Sequence, residues 1–228
     1  MPCTAHQRRT PPFPIAIDGT AGAGKSTLGA ALAKRYGYRL FDTGVTYRAF
    51  TLAALERAVP AADEHACVAL ARELEMHVEG QDESRIWIDG QEVTRRLREP
   101  AVEASVSEYS AIPGVRQVMV TMQRDIAERA PSVVVGRDIG SAVLPEAPVK
   151  LFLTASDEER ARRRAEQSGS WGLQRDPDQA SGDINRRDTV DSTRGGLRRP
   201  PDAVEIDTTT LTPEQVVARA VEVIECGR

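Results

Sequence analysis

Eight consecutive residues, Gly19, Thr20, Ala21, Gly22, Ala23, Gly24, Lys25 and Ser26, match the pattern G-x-x-x-x-G-K-[ST], and Thr27 follows them. The glycines let successive backbone N–H groups turn into one concavity, and a helix beginning at Lys25 adds its own unsatisfied donors. Such a cradle suits an anion with several oxygens. Lys25 is then placed to reach the β- and γ-phosphates of ATP, and the Ser26 hydroxyl to ligate Mg²⁺. The pattern carries this meaning only between a strand and a helix; elsewhere it is a glycine-rich turn with a surface lysine. Kinases, switch proteins and remodelling ATPases share the cradle, so the acceptor side must decide among them.

Two further segments bear groups that suit a second phosphate. In DTGVTYR, Asp42 to Arg48, the guanidinium of Arg48 comes about one turn into a helix, where it either faces a monophosphate or lies solvated. In VVVGRDIG, Val133 to Gly140, Arg137 and Asp138 directly follow an apolar run, at the carboxyl edge where open α/β sheets take ligands. Arg137 can contact phosphate oxygens and Asp138 can accept from an amine; an ion pair at the strand end is the other reading. Ten arginines and no lysine lie between Arg160 and Arg199, a composition suited to gripping phosphate through forked guanidinium groups. Arg160 and Arg164 share a helix face, and for each arginine from 160 to 164 solvent is the preferred surrounding. His6, His65 and His77 have no partner spacing, so neither a metal nor a relay role is expected of them.

The elements that must hold these groups can be traced along the chain. Phe13 to Asp18 is a short apolar run ended by Gly19 and predicts a buried parallel strand. A helix follows from Lys25 to about Tyr36 with Leu28, Ala31 and Leu32 on one side, then a strand from Tyr38 to Phe41 and a helix from about Thr46 to Arg57. Residues 60 to 110 break this rhythm. Arg85 to Val93 alternates around Ile86 and Ile88 and turns at Asp89 and Gly90, predicting a small antiparallel hairpin inside an inserted, substrate-side domain. The core resumes with a helix from Val115 to Ala130 and buried strands at Ser132 to Asp138 and Val149 to Ala155. Asp157 to Glu166 predicts a charged helix, capped by Ser156 with Glu159 in the capping-box position. Ser168 to Ser181 is rich in Gly, Ser, Asp and Gln and predicts a mobile loop, with a lid at about 168–183 and a basic helix around Ile184 to Val190. A strand from Ala203 to Ile206 precedes a last helix, capped by Thr212, begun by Pro213 and turned inward through Val216, Val217, Ala220 and Ile224. The fold class predicted is α/β: a P-loop NTPase parallel sheet flanked by helices, core at 13–59 and 111–228, insert at 60–110, and a disordered tail at 1–12.

At 228 residues the chain suits one α/β domain with an insertion. A formal net charge of -4 gives no positive field that would attract nucleic acid or an acidic membrane. Cys3, Cys67 and Cys226 are scattered and odd in number, which fits a reducing cytoplasm better than a disulfide framework. No stretch approaches the roughly 18 to 20 apolar residues of a membrane span.

GTAGAGKST, DTGVTYR, VSEYSAIPGVR, GRDIGSAVLPEAPVKLFLTAS, RRDTVDSTR and IDTTTLTPEQV together resemble the bacterial cytidylate kinase family from Ile15 onward. GRDIG combined with R-D-x-x-D-x-x-R separates that family from adenylate, guanylate and shikimate kinases. The resemblance implies transfer of a phosphoryl group from Mg²⁺-ATP to CMP or dCMP, and a monomer is the expectation. It implies a catalytic set of Lys25, Arg48, Arg137, Arg187 and Arg194, with Arg48, Arg137 and Arg194 on the acceptor phosphate. A base site at Thr43, Ser107, Arg116 and Asp138 follows from it, as do Arg187 and Asp191 near the sugar and the lid. Ser107 and Arg116 rest on the resemblance alone. Val45 and Thr46 depart from it, standing where the family usually has Ala and Met. The acceptor phosphate already carries its nucleophile largely ionised near neutral pH, so direct in-line transfer without a dedicated base is expected. The alternatives are a related UMP/CMP kinase and a P-loop switch; a GTPase switch would want an N-K-x-D segment, which the sequence lacks.

Overall fold

The computed structural model describes residues 11–79, 85–170 and 197–226. Five strands, β1 (Ile15–Gly19), β2 (Arg39–Asp42), β6 (Ser132–Val135), β7 (Val149–Thr154) and β8 (Val204–Asp207), form a parallel sheet in the order β2-β6-β1-β7-β8. Because β6 lies between β1 and β2, three strand ends meet at one edge. They carry the phosphate loop, Asp42 with Thr43, and Gly136 to Asp138 respectively.

Each central strand is apolar on both sides because each face has its own cover. Ile15 and Ile17 join Val133, Val135, Leu151 and Leu153 in a core closed by α1 (Lys25–Tyr36) and α7 (Pro213–Cys226). Ala16 and Val134 face the opposite core with Phe50 of α2 (Gly44–Glu56) and Met119 of α5 (Pro113–Glu128). That second core runs unbroken into the inserted residues, through Cys67 and Leu70 of α3 (Glu64–Glu73), Ile86 of β4 (Arg85–Ile88) and Val102 of α4 (Pro100–Tyr109). The insert is therefore built onto α2 and α5 without a separate core. It also holds β3 (Met76–Glu79) and β5 (Gln91–Glu92), which flank β4 in a small antiparallel sheet. Asp89 and Gly90 turn its hairpin with φ of 49° and 80°, the left-handed pair that a tight two-residue loop requires.

Local chemistry accounts for several boundaries. α6 (Asp157–Ser170) starts where the Ser156 Oγ accepts from the Glu159 N–H at 3.3 Å. The expected capping box is only half made there: the Ser156 N–H donates to Thr209 Oγ1 at 2.9 Å, while the Glu159 carboxylate pairs with Arg162 and Arg163. α7 makes the whole box, with the Gln215 N–H on Thr212 Oγ1 at 3.3 Å and the Thr212 N–H on Gln215 Oε1 at 2.9 Å. In α1 the buried positions are Leu28, Gly29, Leu32 and Ala33, so Ala31 sits at the margin of the face predicted for it. In α7 Val223 is buried and Val217 only partly so. β6 stops at Val135, three residues short of the predicted strand, because Gly136 to Asp138 lead into a π-helical turn at Ile139–Val143. α6 continues past Glu166 to Ser170, so the first residues of the predicted loop are helical. The rest of that loop and the predicted basic helix lie outside the described residues. Packed chain already begins at Pro11, whose carbonyl accepts from the buried Tyr38 hydroxyl, within the stretch predicted to be a tail.

Candidate active site

Gly19, at the end of β1, has φ +145°, and a Cβ there would lie 2.1 Å from the Leu153 carbonyl oxygen. Only glycine lets β1 run against β7 and still turn into the loop. At Gly22, φ +78°, a Cβ would come within 3.0–3.2 Å of the Arg160 backbone and Cβ, so the loop crosses α6 at close range. Lys25 folds back over the loop, its Nζ donating to Gly19 O at 2.8 Å and Thr20 O at 2.7 Å. Ser26 Oγ donates to Asp42 Oδ2 at 3.2 Å, and the other oxygen of Asp42 accepts from the Gly44 N–H at 2.9 Å. Asp42 thus brings a carboxylate to the loop hydroxyl, a role the sequence reading did not assign it.

The sheet edge beside the loop is organised by β2, β6 and α5. Thr43 is buried, and both its N–H and its hydroxyl donate to Val135 O, at 2.9 and 3.1 Å. This bracket joins the ends of β2 and β6. Thr46, one of the two family departures, accepts from the fully buried Gln123 at 2.8 Å and donates to Thr43 O at 2.8 Å. A buried polar pair therefore backs the wall behind Thr43. Arg48 Nε pairs with Glu103 Oε1 at 3.1 Å, and both side chains are largely buried. Glu103 and Ser107 stand four residues apart on α4, which places them on one helix face.

Asp138 is buried and paired with the Arg116 guanidinium. Arg116 also donates to Ser110 O at 3.4 Å and lies 5.7 Å from the centre of the Tyr47 ring. Burial pushes the Tyr47 hydroxyl up to about 12, so the ring stays neutral beneath the cation. Arg137 emerges partly exposed beside this group. The structure therefore gathers Thr43, Arg116, Arg137 and Asp138 at the strand ends, with Arg48 and Ser107 on the adjoining helices. Arg187, Asp191 and Arg194 lie outside the described residues.

Two arginines of α6 contradict the expectation of a solvated face. Arg160 is 5% exposed, donates to Ala21 O of the phosphate loop at 3.2 Å and pairs with Asp157 at 2.5 Å. Arg163 donates through Nη1 and Nη2 to Thr208 Oγ1 and Thr208 O, at 2.9 and 2.7 Å, while its Nε pairs with Glu159 at 2.7 Å. Arg162, by contrast, is exposed. Arg162 first, then Arg163, hold the Glu159 carboxyl down to about 2. Thr208 in turn touches Ala23 O at 3.1 Å and Thr154 O at 3.0 Å, tying the end of β8 to the loop. Beside these contacts lies a cleft of about 530 Å³ between Gly24, Thr27, Arg163 and the Thr208–Leu211 segment. A pocket of that size next to a phosphate cradle has room for a nucleoside base.

A phosphate loop on the first strand of a parallel sheet, with arginines converging at the same carboxyl edge, defines a P-loop kinase. The family model for cytidylate kinase matches residues 15–226. Among curated relatives, the cytidylate kinase of Caldanaerobacter subterraneus subsp. tengcongensis is 45% identical over 212 residues, 92% of this chain and 93% of the relative. That of Geobacillus kaustophilus is 46% identical over 213 residues, covering 92% of this chain and 95% of the relative. The cytidylate kinase of Mycolicibacterium paratuberculosis is 45% identical over 207 residues, covering 89% and 91%. The chain belongs to the cytidylate kinase family.

Proposed function

We propose that the chain transfers the γ-phosphoryl group of ATP to CMP or dCMP, giving CDP or dCDP and ADP. The observation that carries this reading is the Arg116–Asp138 pair, set at the end of β6 beside the phosphate loop of β1. A carboxylate accepts from the exocyclic amine of cytosine, a guanidinium donates to its ring nitrogen or neighbouring carbonyl, and Tyr47 beneath Arg116 limits the cation's swing. The names of the relatives and the span of the match support the same acceptor.

The donor phosphates lie in the Gly19–Ser26 loop, with Lys25 leaving its two loop carbonyls to meet the β- and γ-oxygens. Ser26 and Asp42 offer a hydroxyl and a carboxylate oxygen within hydrogen-bond distance of each other, a hard-oxygen donor set that fits Mg²⁺. When bound there with ATP, Mg²⁺ neutralises charge on the phosphate oxygens. Among the described residues no cluster of three His, Cys, Asp or Glu side chains offers a separate metal site.

The acceptor phosphate is held by Arg48 and Arg137, joined by Arg194, with Arg187 and Asp191 serving the sugar and the closing lid. Residues 60–110 form the monophosphate-binding side, contributing Ser107 to the base and Glu103 to the setting of Arg48. An acceptor phosphate oxygen attacks the γ-phosphorus in line, the bond to the β–γ bridging oxygen breaks, and ADP leaves. The protein supplies position and positive charge without a covalent intermediate. The enzyme acts as a monomer on ATP and CMP or dCMP, in the cytoplasm. Among the described residues, no helix is long and apolar enough to cross a membrane. Coupled measurement of ADP release with CMP, dCMP, UMP, AMP and shikimate tests the reading: CMP or dCMP should lead. Equal turnover of UMP would make it a general pyrimidine kinase, and ATP hydrolysis indifferent to every acceptor would reject kinase activity.

A further inference from the structure

We infer that Asp18 is a positioning residue for acceptor choice: its carboxylate holds the backbone turn that aims Asp138, and so couples the root of the donor loop to the base reader. The inference rests on the cytidylate kinase reading above.

Asp18 is the residue before Gly19, at the end of a strand otherwise made of apolar side chains, and it is 2% exposed. Its two oxygens accept from consecutive backbone N–H groups, Ile139 at 2.7 Å and Gly140 at 2.7 Å. Those are the first two N–H groups of the turn that Asp138 opens, and a turn's first donors have no partner within it. The Asp138 carbonyl accepts from Ala142 at 2.8 Å and Val143 at 3.1 Å, so the turn is closed on itself at one end and pinned by Asp18 at the other. A cap from within the segment would not connect the two loops; this one comes from the strand that launches the phosphate loop.

The turn has little freedom once pinned. A Cβ at Gly140 would stand 3.0 Å from the Pro200 ring and 3.1 Å from the Lys150 side chain, and Arg124 holds its far end through the Val143 carbonyl at 2.6 Å. Asp138 opens the turn with φ −143° and ψ 30°, and from there its side chain pairs with Arg116. Two parallel N–H donors suit a carboxylate, which accepts at both oxygens. An amide accepts at one and would oppose an N–H with its own donor at the other. Burial raises the Asp18 pKa to about 6, an environment that discourages the charge while the two N–H groups favour it. Lys25 lowers it and Asp138 raises it, so the donor lysine and the base reader both sense this carboxylate.

The test is the ratio of kcat/KM for CMP and UMP, with ATP affinity alongside, at pH 8 where Asp18 is ionised. Asp18→Asn should lower kcat/KM for CMP by roughly 10- to 100-fold and UMP by less, narrowing the ratio several-fold, with ATP affinity within about twofold of wild type. Asp18→Ser, which keeps one acceptor, should fall between. Equal losses for CMP and UMP, or a matching loss of ATP affinity, would overturn the inference and leave Asp18 as general support. Hydrogen exchange on the wild-type protein gives an answer even if the variants do not fold. Ile139 and Gly140 amides should be protected and gain protection with CMP more than with UMP, whereas exchange at exposed-turn rates would overturn the inference. Wild-type protein that does not turn over CMP would instead reject the reading beneath it.

Discussion

Replacing Asp138 with Asn changes one acceptor oxygen into a donor amide while keeping the size and most of the packing of a side chain that is 9% exposed. In the wild-type protein the carboxylate accepts from Arg116 and, in the proposed complex, from the amine of cytosine. A hydrogen bond to a charged group contributes about 1.5 to 3 kcal/mol, so losing the amine contact should lower kcat/KM for CMP by roughly 10- to 100-fold. Uracil presents a carbonyl where cytosine has the amine, and a carboxylate oxygen opposite that carbonyl repels it. The amide of Asn can donate to that carbonyl, so UMP should hold its rate or gain. Arg116 is 27% exposed and keeps its contact to Ser110 O, which limits the damage from its weakened partner. The CMP/UMP ratio should therefore fall by at least about 10- to 100-fold, read from coupled ADP release at saturating ATP. A ratio that stays constant while both substrates slow would refute base reading by Asp138 and reduce it to an anchor for Arg116 and Arg137.

Lys25→Ala should lower kcat by about 10²- to 10³-fold with CMP and UMP alike, measured at saturating ATP, since it removes charge stabilisation on the donor side. Glu103→Gln loosens Arg48, and steady-state kinetics should show a KM for CMP raised roughly threefold to tenfold with the KM for ATP unchanged. Arg163→Ala removes the fork on Thr208 beside the cleft; calorimetric titration should show ATP bound several-fold more weakly and CMP unaffected. The pKa of Asp18 is raised from 3.8 to about 6, chiefly by burial, so the folded protein binds more protons than the unfolded chain between those values. This carboxyl's contribution to stability is then fully present below about pH 4 and is lost as pH rises towards 6 and beyond, by up to about 3 kcal/mol. Denaturant unfolding of wild type and Asp18→Asn across pH 3.5 to 7 should show that slope in the wild type only.

What could be read from sequence and what could not divides by where each group's partner lies. The phosphate loop is legible because its function is carried by the backbone, and backbone in that shape demands glycine at set intervals: the Gly19 carbon has the Leu153 carbonyl against it. β1, β6 and β7 are legible because cover on both faces leaves no room for alternation. β3 escaped notice because four residues, only one of them buried, make no periodic signal. Arg160 and Arg163 were misread for a different reason. Spaced acids and arginines on a helix look alike whether they face water or a loop, and what decides here is the carbonyl of Ala21 and the two oxygens of Thr208 opposite them.

The acceptor side shows the same division more sharply. Arg137 and Asp138 announce themselves at a strand end, but Arg116 and Ser107 carry no signature of their own and were found only through family resemblance. Glu103 meets Arg48 across 55 residues of chain, a distance no local pattern spans. Asp18 is the extreme case, since both of its partners are backbone N–H groups and any residue type except proline could have supplied those. Its one legible sign is an acid closing an apolar strand, where burying a charge costs more than leaving the position apolar unless donors await it. That sign points to a partner without naming it. Folding makes the identification by placing β6 beside β1, which brings the Asp18 carboxylate within 2.7 Å of the Ile139 and Gly140 N–H groups, in the turn that follows Asp138. One side chain therefore ties the root of the phosphate loop to the turn after Asp138, and if that turn aims the base reader as inferred, a change at Asp18 should be felt in acceptor choice before it is felt at the phosphate loop from which Asp18 is only one residue removed.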